Sequence, residues 1–355
     1  APKVRNSVDF DRQQNYKIYR YSFFYSLIEK YPKLYKLFIF PILFLFVIHG
    51  LKIIKKENIA FIQCGSADLG LAGWCLSKLT GKPYLIYTHG NDIIVKRHSL
   101  SSQLWKNRVI AIALRKANAV IANSNFTKTK IVEYSVSSDK VTIVNPCIKA
   151  GIFYPKQEEA ITIRKKYNLE NKKVLLSVGR LVTRKGHDFV IKALPNILKS
   201  FPDTIYLIVG KGNEKNRLRE LVKGLTLEKN VVFVGYVPDS ELNGYYNACD
   251  IFIMPSRELS GDVEGFGIVY LEANACRKPV IGGKTGGIQD AIVDGETGLL
   301  VKPTDIKEIS DAVIKILSDE KLATTLGNKG YTRIVNEFSS KRITEKINNT
   351  LFSIF

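Results

Sequence analysis

Two loops in the second half of this 355-residue chain carry the residue types needed to hold and move a phosphorylated ligand. In the first, Gly179-Arg180-Leu181-Val182-Thr183-Arg184-Lys185-Gly186, a forked cation at Arg180 and a point cation at Lys185 can reach one place from the two ends of a turn, which suits a diphosphate. In the second, Asp262-Val263-Glu264-Gly265-Phe266-Gly267-Ile268-Val269-Tyr270-Leu271-Glu272, the glycines let backbone amides approach a ligand, and a helix starting near Ile268 turns its positive end towards an anion. Glu264 lies in the loop and Glu272 about one turn into the helix, so the two carboxylates address different parts of a polyhydroxylated ligand: one the group being moved, the other a ribose diol. A solvated basic loop and a tight turn with two solvated glutamates are the plainer readings. They fit less well because both loops follow apolar strand-like runs, and ligands of parallel α/β sheets bind beyond the carboxyl ends of the strands.

The first half offers Thr88-His89-Gly90-Asn91-Asp92, again at the end of an apolar run. A lone histidine is more often structural, but one placed after a strand and before a glycine is a site candidate. An Asp-x-Asp pair, whose two carboxylates could hold a metal ion, occurs once, as Asp9-Phe10-Asp11, in a polar opening that reads as solvated. No metal site and no cofactor are expected. The five cysteines include no Cys-x-x-Cys pair, which fits a reduced, cytoplasmic compartment.

These loops need a scaffold that repeats strand, loop and helix. Runs at Ile59–Cys64, Tyr84–Thr88, Ala119–Ala122 and Val141–Val144 alternate with helical stretches, one of them Leu69–Leu79, and Tyr16–Tyr21 reads as an earlier strand. A second series follows a charged connection near Pro155, with strands at Val174–Val178, Ile205–Val209, Val231–Val234, Ile251–Met254 and Pro279–Ile281. Alternation of this kind predicts an α/β protein with two Rossmann-like, doubly wound parallel sheets facing a cleft. The expected domains are 1–152 and 153–339, with a last helix over 340–355 packing back on the first.

Composition bounds the surroundings. Residues 1–150 hold 23 Lys and Arg against 8 Asp and Glu, so +15 of the formal +20 lies in the first half. A field of that sign attracts polyanions, and an anionic membrane surface or nucleic acid both qualify; no RNA- or DNA-binding motif accompanies it, so nucleic acid is not expected. The apolar run Leu37–Leu51, broken by Pro41 and His49, is short for a membrane span. It reads first as a buried helix and second as a segment lying in the membrane interface. Just upstream, Lys30, Lys33 and Lys36 interleave with Tyr31, Leu34, Tyr35 and Phe38, as on a surface helix that adsorbs to a membrane or one whose lysine face is solvated. No signal peptide is visible, and nothing sets the oligomeric state.

Arg180 and Lys185, then Glu264 and Glu272, then Pro279-Val280-Ile281 and Gly286-Gly287 resemble the donor half of glycosyltransferase family 4, whose fold is GT-B. The two long loops look most like those of phosphatidylinositol mannosyltransferases and other GDP-mannose-using members. The resemblance implies a retaining, metal-independent hexosyltransferase with a nucleotide-sugar donor and a lipid-linked or membrane-associated acceptor at the inner face of the cell membrane. It assigns catalysis to His89, Arg180, Lys185 and Glu264. Donor binding falls to Gly179, Arg180, Lys185, Tyr236, Val237, Glu264, Gly265, Phe266, Gly267, Ile268 and Glu272, with Tyr236 and Val237 beside the nucleobase. Gly90, Asn91, Asn123 and Ser124 are possible cleft-loop residues. Family members open with a strand and a glycine-rich loop that this chain lacks before Tyr16, and Asn145-Pro146-Cys147-Ile148 replaces the usual Asn-Gly hinge. Alternatives within reach of the sequence are a UDP-sugar transferase with a soluble acceptor, a nucleotide-sugar 2-epimerase, which needs no acceptor, and a nucleic-acid-binding protein on a degenerate scaffold.

Overall fold

Runs of apolar residues three to six long, punctuated by glycine, proline and polar turns, become the strands, and the amphipathic stretches between them become the covering helices. The computed structural model describes residues 17, 19, 35–94, 100–148 and 151–352. In chain order these form α1 (Tyr35–Lys56), β1 (Ile62–Cys64), α2 (Gly70–Thr80), β2 (Tyr84–Thr88), α3 (Leu100–Lys116), β3 (Ala119–Ala122), α4 (Asn125–Val132) and β4 (Val141–Ile143). The second half continues with α5 (Gln157–Lys166), β5 (Lys173–Val178), α6 (His187–Ser200), β6 (Thr204–Val209), α7 (Lys215–Gly224), β7 (Val231–Gly235), α8 (Asp239–Ala248) and β8 (Ile251–Met254). It ends with α9 (Ile268–Ala275), β9 (Val280–Gly283), α10 (Ile288–Ala291), β10 (Gly298–Val301), α11 (Ile306–Ser318), α12 (Glu320–Glu337) and α13 (Ser340–Phe352).

Two sheets result, both wholly parallel among the described residues. The first has the order β1-β2-β3-β4 and the second β10-β9-β8-β5-β6-β7. In the second sheet β5 lies between β6 and β8, so the chain winds outward from β5 in both directions. The crevice at that reversal is where a doubly wound sheet holds its ligand. Alternate residues of β5 enter opposite cores, Val174, Leu176 and Val178 on one face and Leu175 on the other. Burial on both faces is why these strands read as unbroken apolar runs instead of alternating ones.

The first sheet is covered in the same way, with Tyr84, Ile86, Val120 and Ala122 on one side. On the other, Leu85, Ala119, Ile121 and Val144 pack with Ile343 of α13, flanked by Ile347 and Leu351. The last helix of the chain thus closes a face of the first sheet.

The α/β class and the two parallel sheets agree with the sequence expectation, and β10 is a strand it missed. The buried-helix reading of Leu37–Leu51 does not hold. The run lies within α1, where Phe44 is 65% and Phe46 41% exposed and none of the described side chains is fully buried. The helix rests on α2 through Gly50, which lies against Leu76. Among the described residues no helix is long and apolar enough to cross a membrane. Of the expected strand at Tyr16–Tyr21 only residues 17 and 19 are described, and neither is in a strand; of the lysine and aromatic stretch from Lys30, residues 35–38 fall in α1 and the rest lie outside the described residues, as do the Asp9-Phe10-Asp11 pair and 353–355 of the expected last helix.

Candidate active site

The two loops singled out by their chemistry follow β5 and β8, neighbours in the second sheet, with Leu175 beside Ile251 and Leu176 beside Phe252. Strand pairing therefore delivers Lys185 and Glu264 to one place. Lys185 Nζ donates to Glu264 Oε2 at 2.6 Å, and Arg184 Nη1 donates to the same oxygen at 2.7 Å. Arg184 also lies with its Nε 3.3 Å from Asp262 Oδ1. Its side chain is only 4% exposed, against 11% for Lys185 and 14% for Glu264. This is a buried cluster of two cations and a carboxylate, backed by a second carboxylate.

Burial by itself would push the Glu264 carboxyl up. Lys185 and then Arg184 overcome it, so the group is held below the ordinary glutamate value and stays ionised. Burial draws Lys185 below its ordinary value, and Arg184 and Arg180 pull the same way against Glu264. Arg180 is itself exposed, and its charge is close enough to act on Lys185. The Lys185 amine lies beside Gly179, where an added Cβ would stand 3.9 Å from Nζ. A diphosphate at the end of β5 would meet both basic residues.

The glycine loop is shaped by close approach. Gly265 lies so near the His89 carbonyl that a Cβ would come within 2.5 Å of that oxygen. Gly267, at φ +92°, precedes the first turn of α9 in a conformation that costs other residues strain. No side chain caps the start of α9, where Ile268 is 36% exposed, and the first amides of a helix suit an anion.

Glu272, half-buried on α9, accepts a hydrogen bond from Tyr246 Oη at 2.6 Å. Tyr236 is 66% exposed with Lys211 Nζ 5.5 Å from its ring centre, an open aromatic platform. Two of the expected donor residues face inward. Phe266 is buried against Phe338 and Val237 packs in the core beneath β7, so only their backbone can meet a ligand.

From the first sheet, the loop after β2 reaches the same crevice. Asp92 staples it: Oδ1 accepts from the His89 amide and Oδ2 from the Ala67 amide, both at 2.9 Å, tying the loops after β1 and β2 together. His89 is exposed, its Nε2 3.0 Å from the Gly65 carbonyl and its ring 4.9 Å from that of Tyr87. Asn123 and Ser124 are buried and shape the loops: Asn123 Nδ2 donates to the His89 carbonyl, and Ser124 Oγ accepts the Thr127 amide as the N-cap of α4. Gly90 borders Gly265 across the crevice, and Asn91 is exposed beside it. Asn125 closes the contact, its amide and Nδ2 both donating to the Asp290 carboxylate of α10.

Sequence reasoning assigned no role to Arg184, Asp262 or Asp92. A second arginine beside Lys185 in a basic loop reads as solvated, and only its burial shows otherwise.

Beneath the cluster, His187 opens α6 at 2% exposure, its Nδ1 3.1 Å from Tyr206 Oη. Burial, then the charge of Lys185, push it down from 6.5 to about 4. The unfolded chain therefore binds this proton first as pH falls. Neutral His187 leaves stability intact above pH 6.5, and about 3 kcal/mol is lost as pH falls through 4. Urea denaturation from pH 7 to 4 is expected to show that slope, and His187→Gln to flatten it; an equal slope in the variant would reject the assignment.

The chain matches two family profiles, Glycosyltransferase Family 4 over residues 11–150 and Glycosyl transferases group 1 over 159–333. Among curated proteins it is similar to the GDP-mannose-dependent alpha-(1-6)-phosphatidylinositol monomannoside mannosyltransferase of Mycolicibacterium smegmatis. The two are 32% identical over 287 residues, 79% of this chain and 72% of the relative. The GDP-mannose-dependent monoacylated alpha-(1-6)-phosphatidylinositol monomannoside mannosyltransferase of Corynebacterium glutamicum is 37% identical over 199 residues, 55% of this chain; the match spans about half, 51%, of that relative. In fold, the crystal structure of Anabaena Alr3699/HepE in complex with UDP superposes with a TM-score of 0.80 at 21% identity, over 98% of this chain and 89% of that one.

Proposed function

The chain belongs to the family 4 glycosyltransferases of GT-B fold, and on that premise we propose that it transfers mannose from GDP-mannose, with retention, to a hydroxyl of a lipid-linked or membrane-associated acceptor. The observation that carries this reading is the Lys185–Glu264–Arg184 cluster at the reversal point of the second sheet. Arg180, Lys185 and the amides at the start of α9 meet the negative charge that grows on the departing diphosphate, a task that otherwise falls to a metal ion. Glu264 takes hydroxyls of the transferred sugar, Glu272 the ribose diol, and His89 stands at the acceptor side.

In the reaction the bond from the anomeric carbon to the β-phosphate oxygen breaks and its electron pair stays on the phosphate. The acceptor oxygen bonds to the same face of that carbon, and its proton passes to the leaving phosphate. The choice of mannose and guanine follows the Mycolicibacterium smegmatis relative. The basic first half, with exposed Phe44 and Phe46 on α1, supports work at an anionic membrane surface, on its cytoplasmic face.

A thermal-shift panel of GDP- and UDP-sugars tests the donor. A donor at about a hundred times its dissociation constant stabilises by about 2.7 kcal/mol, and GDP-mannose is expected to give the largest upward shift. A larger shift with a UDP-sugar would overturn the choice of donor, and no shift with any nucleotide sugar would overturn the reading. Radiolabel from GDP-mannose entering only water-soluble product would reject the lipid acceptor.

A further inference from the structure

Two cations on one carboxylate oxygen is more than neutrality requires, and the two differ in how they are held. Arg184 is rooted: its carbonyl accepts the amide of Arg257 at 2.8 Å, and Arg257 is clamped to Asp188 by paired bonds of 2.8 and 3.0 Å. Its guanidinium is nearly sealed from solvent and braced on its far edge by Asp262. Lys185 sits on a four-carbon stem beside Gly179, at the open end of β5. An arginine keeps its charge at any working pH and its planar fork resists reorientation, whereas a lysine can swing.

We infer that Arg184 is the resident counter-ion of Glu264, and that it frees Lys185 to leave the carboxylate for the diphosphate of an incoming donor. This rests on the diphosphate-donor reading above. Lys185 is parked on Glu264. When a diphosphate arrives, the ammonium crosses to it, and Glu264 stays ionised and aimed at the sugar because Arg184 remains on Oε2. Without Arg184, the same movement would strand a buried carboxylate, which would either hold Lys185 back or take up a proton. Arg184 is thus a positioning residue, acting through Glu264 and Lys185. The other charged and titratable groups around the pair are Arg180 and His187 from the loop and helix after β5, Asp262 from the loop after β8, and Tyr270 on α9.

The test uses Arg184→Met and Arg184→Lys in the full chain, with circular dichroism to establish folding. GDP and UDP binding is measured by calorimetry across pH 5 to 9, with donor KM and kcat beside it. Arg184→Met is expected to weaken nucleoside diphosphate binding and raise donor KM by about tenfold or more. It should also move the acid limb of kcat/KM up by about one pH unit, as loss of a neighbouring cation does. Arg184→Lys, which keeps the charge, is expected to restore most of the acid limb. If Arg184→Met does not fold, Arg184→Gln is read in the same way. A folded variant with unchanged binding, KM and acid limb, reduced only in melting temperature, would overturn the inference. Wild type that binds neither GDP nor UDP would instead overturn the donor reading on which it rests.

Discussion

Glu264→Ala and Lys185→Ala are each expected to lower turnover by on the order of a hundredfold or more, the loss that follows when one preorganised charge is removed from a dry site. The two variants fail for different reasons. Lys185→Ala removes a cation from the departing diphosphate but leaves Glu264 paired with Arg184, so the carboxylate keeps its place. Glu264→Ala leaves Arg184 and Lys185 as neighbours with no carboxylate between them and would take away the grip proposed for the sugar. Both losses should appear in kcat under saturating donor, measured by release of the nucleoside diphosphate. Lys185→Ala should also lose donor affinity. Turnover within a few-fold of wild type in either variant would remove that residue from the site.

A second large effect concerns stability. Asp188 and Arg257 form a paired ion bridge in which both side chains are less than a tenth exposed. Phe189 lies under the Arg257 guanidinium at 4.7 Å, and Arg217 reaches Asp188 from the surface at 3.5 Å. The bridge fastens the loop after β8 to the start of α6. Asp188→Leu leaves Arg257 buried without its partner, and that costs about 3–5 kcal/mol. The double variant Asp188→Leu, Arg257→Leu removes both charges and should recover a good part of the loss. Urea denaturation followed by circular dichroism measures all three proteins. A double variant no more stable than Asp188→Leu would mean that packing, and not an orphaned charge, sets the cost.

Much of the scaffold could be read from the chain because burial on both faces makes parallel strands stand out. Tyr84–Thr88, Ala119–Ala122 and Ile251–Met254 were expected over the same residues that form β2, β3 and β8. β10 was missed because it is a four-residue edge strand whose middle residues, Leu299 and Leu300, are only half-buried, so its signal is no stronger than that of a loop. The order β10-β9-β8-β5-β6-β7 was not legible at all. Nothing local tells β5 that its partner lies 76 residues on, and that pairing is what makes one cluster of two loops.

The site shows the same division. Residue types and spacing pointed to Lys185 and Glu264, yet Arg184 looked like one more surface cation in a basic loop, since only the fold brings Arg257, Asp262 and Glu264 against it. Phe266, between two glycines, reads as a ligand contact in sequence, whereas its ring fills the core against Phe338. The apolar run of α1 was misjudged in the opposite sense. An all-apolar stretch normally signals a core helix, and here Phe44 and Phe46 are exposed and none of the described side chains is fully buried.

The place of α13 bears on how the molecule is made. One side of the first sheet is sealed by Ile343, Ile347 and Leu351, which follow every strand of the second sheet in the chain. During synthesis the amino-terminal lobe therefore waits, with Leu85 and Ile121 uncovered, until the whole carboxyl-terminal lobe has emerged and can fold. The nascent chain is consequently aggregation-prone for as long as that face stays bare, and a chain cut before Ser340 would leave the first lobe open while the second sheet was already complete.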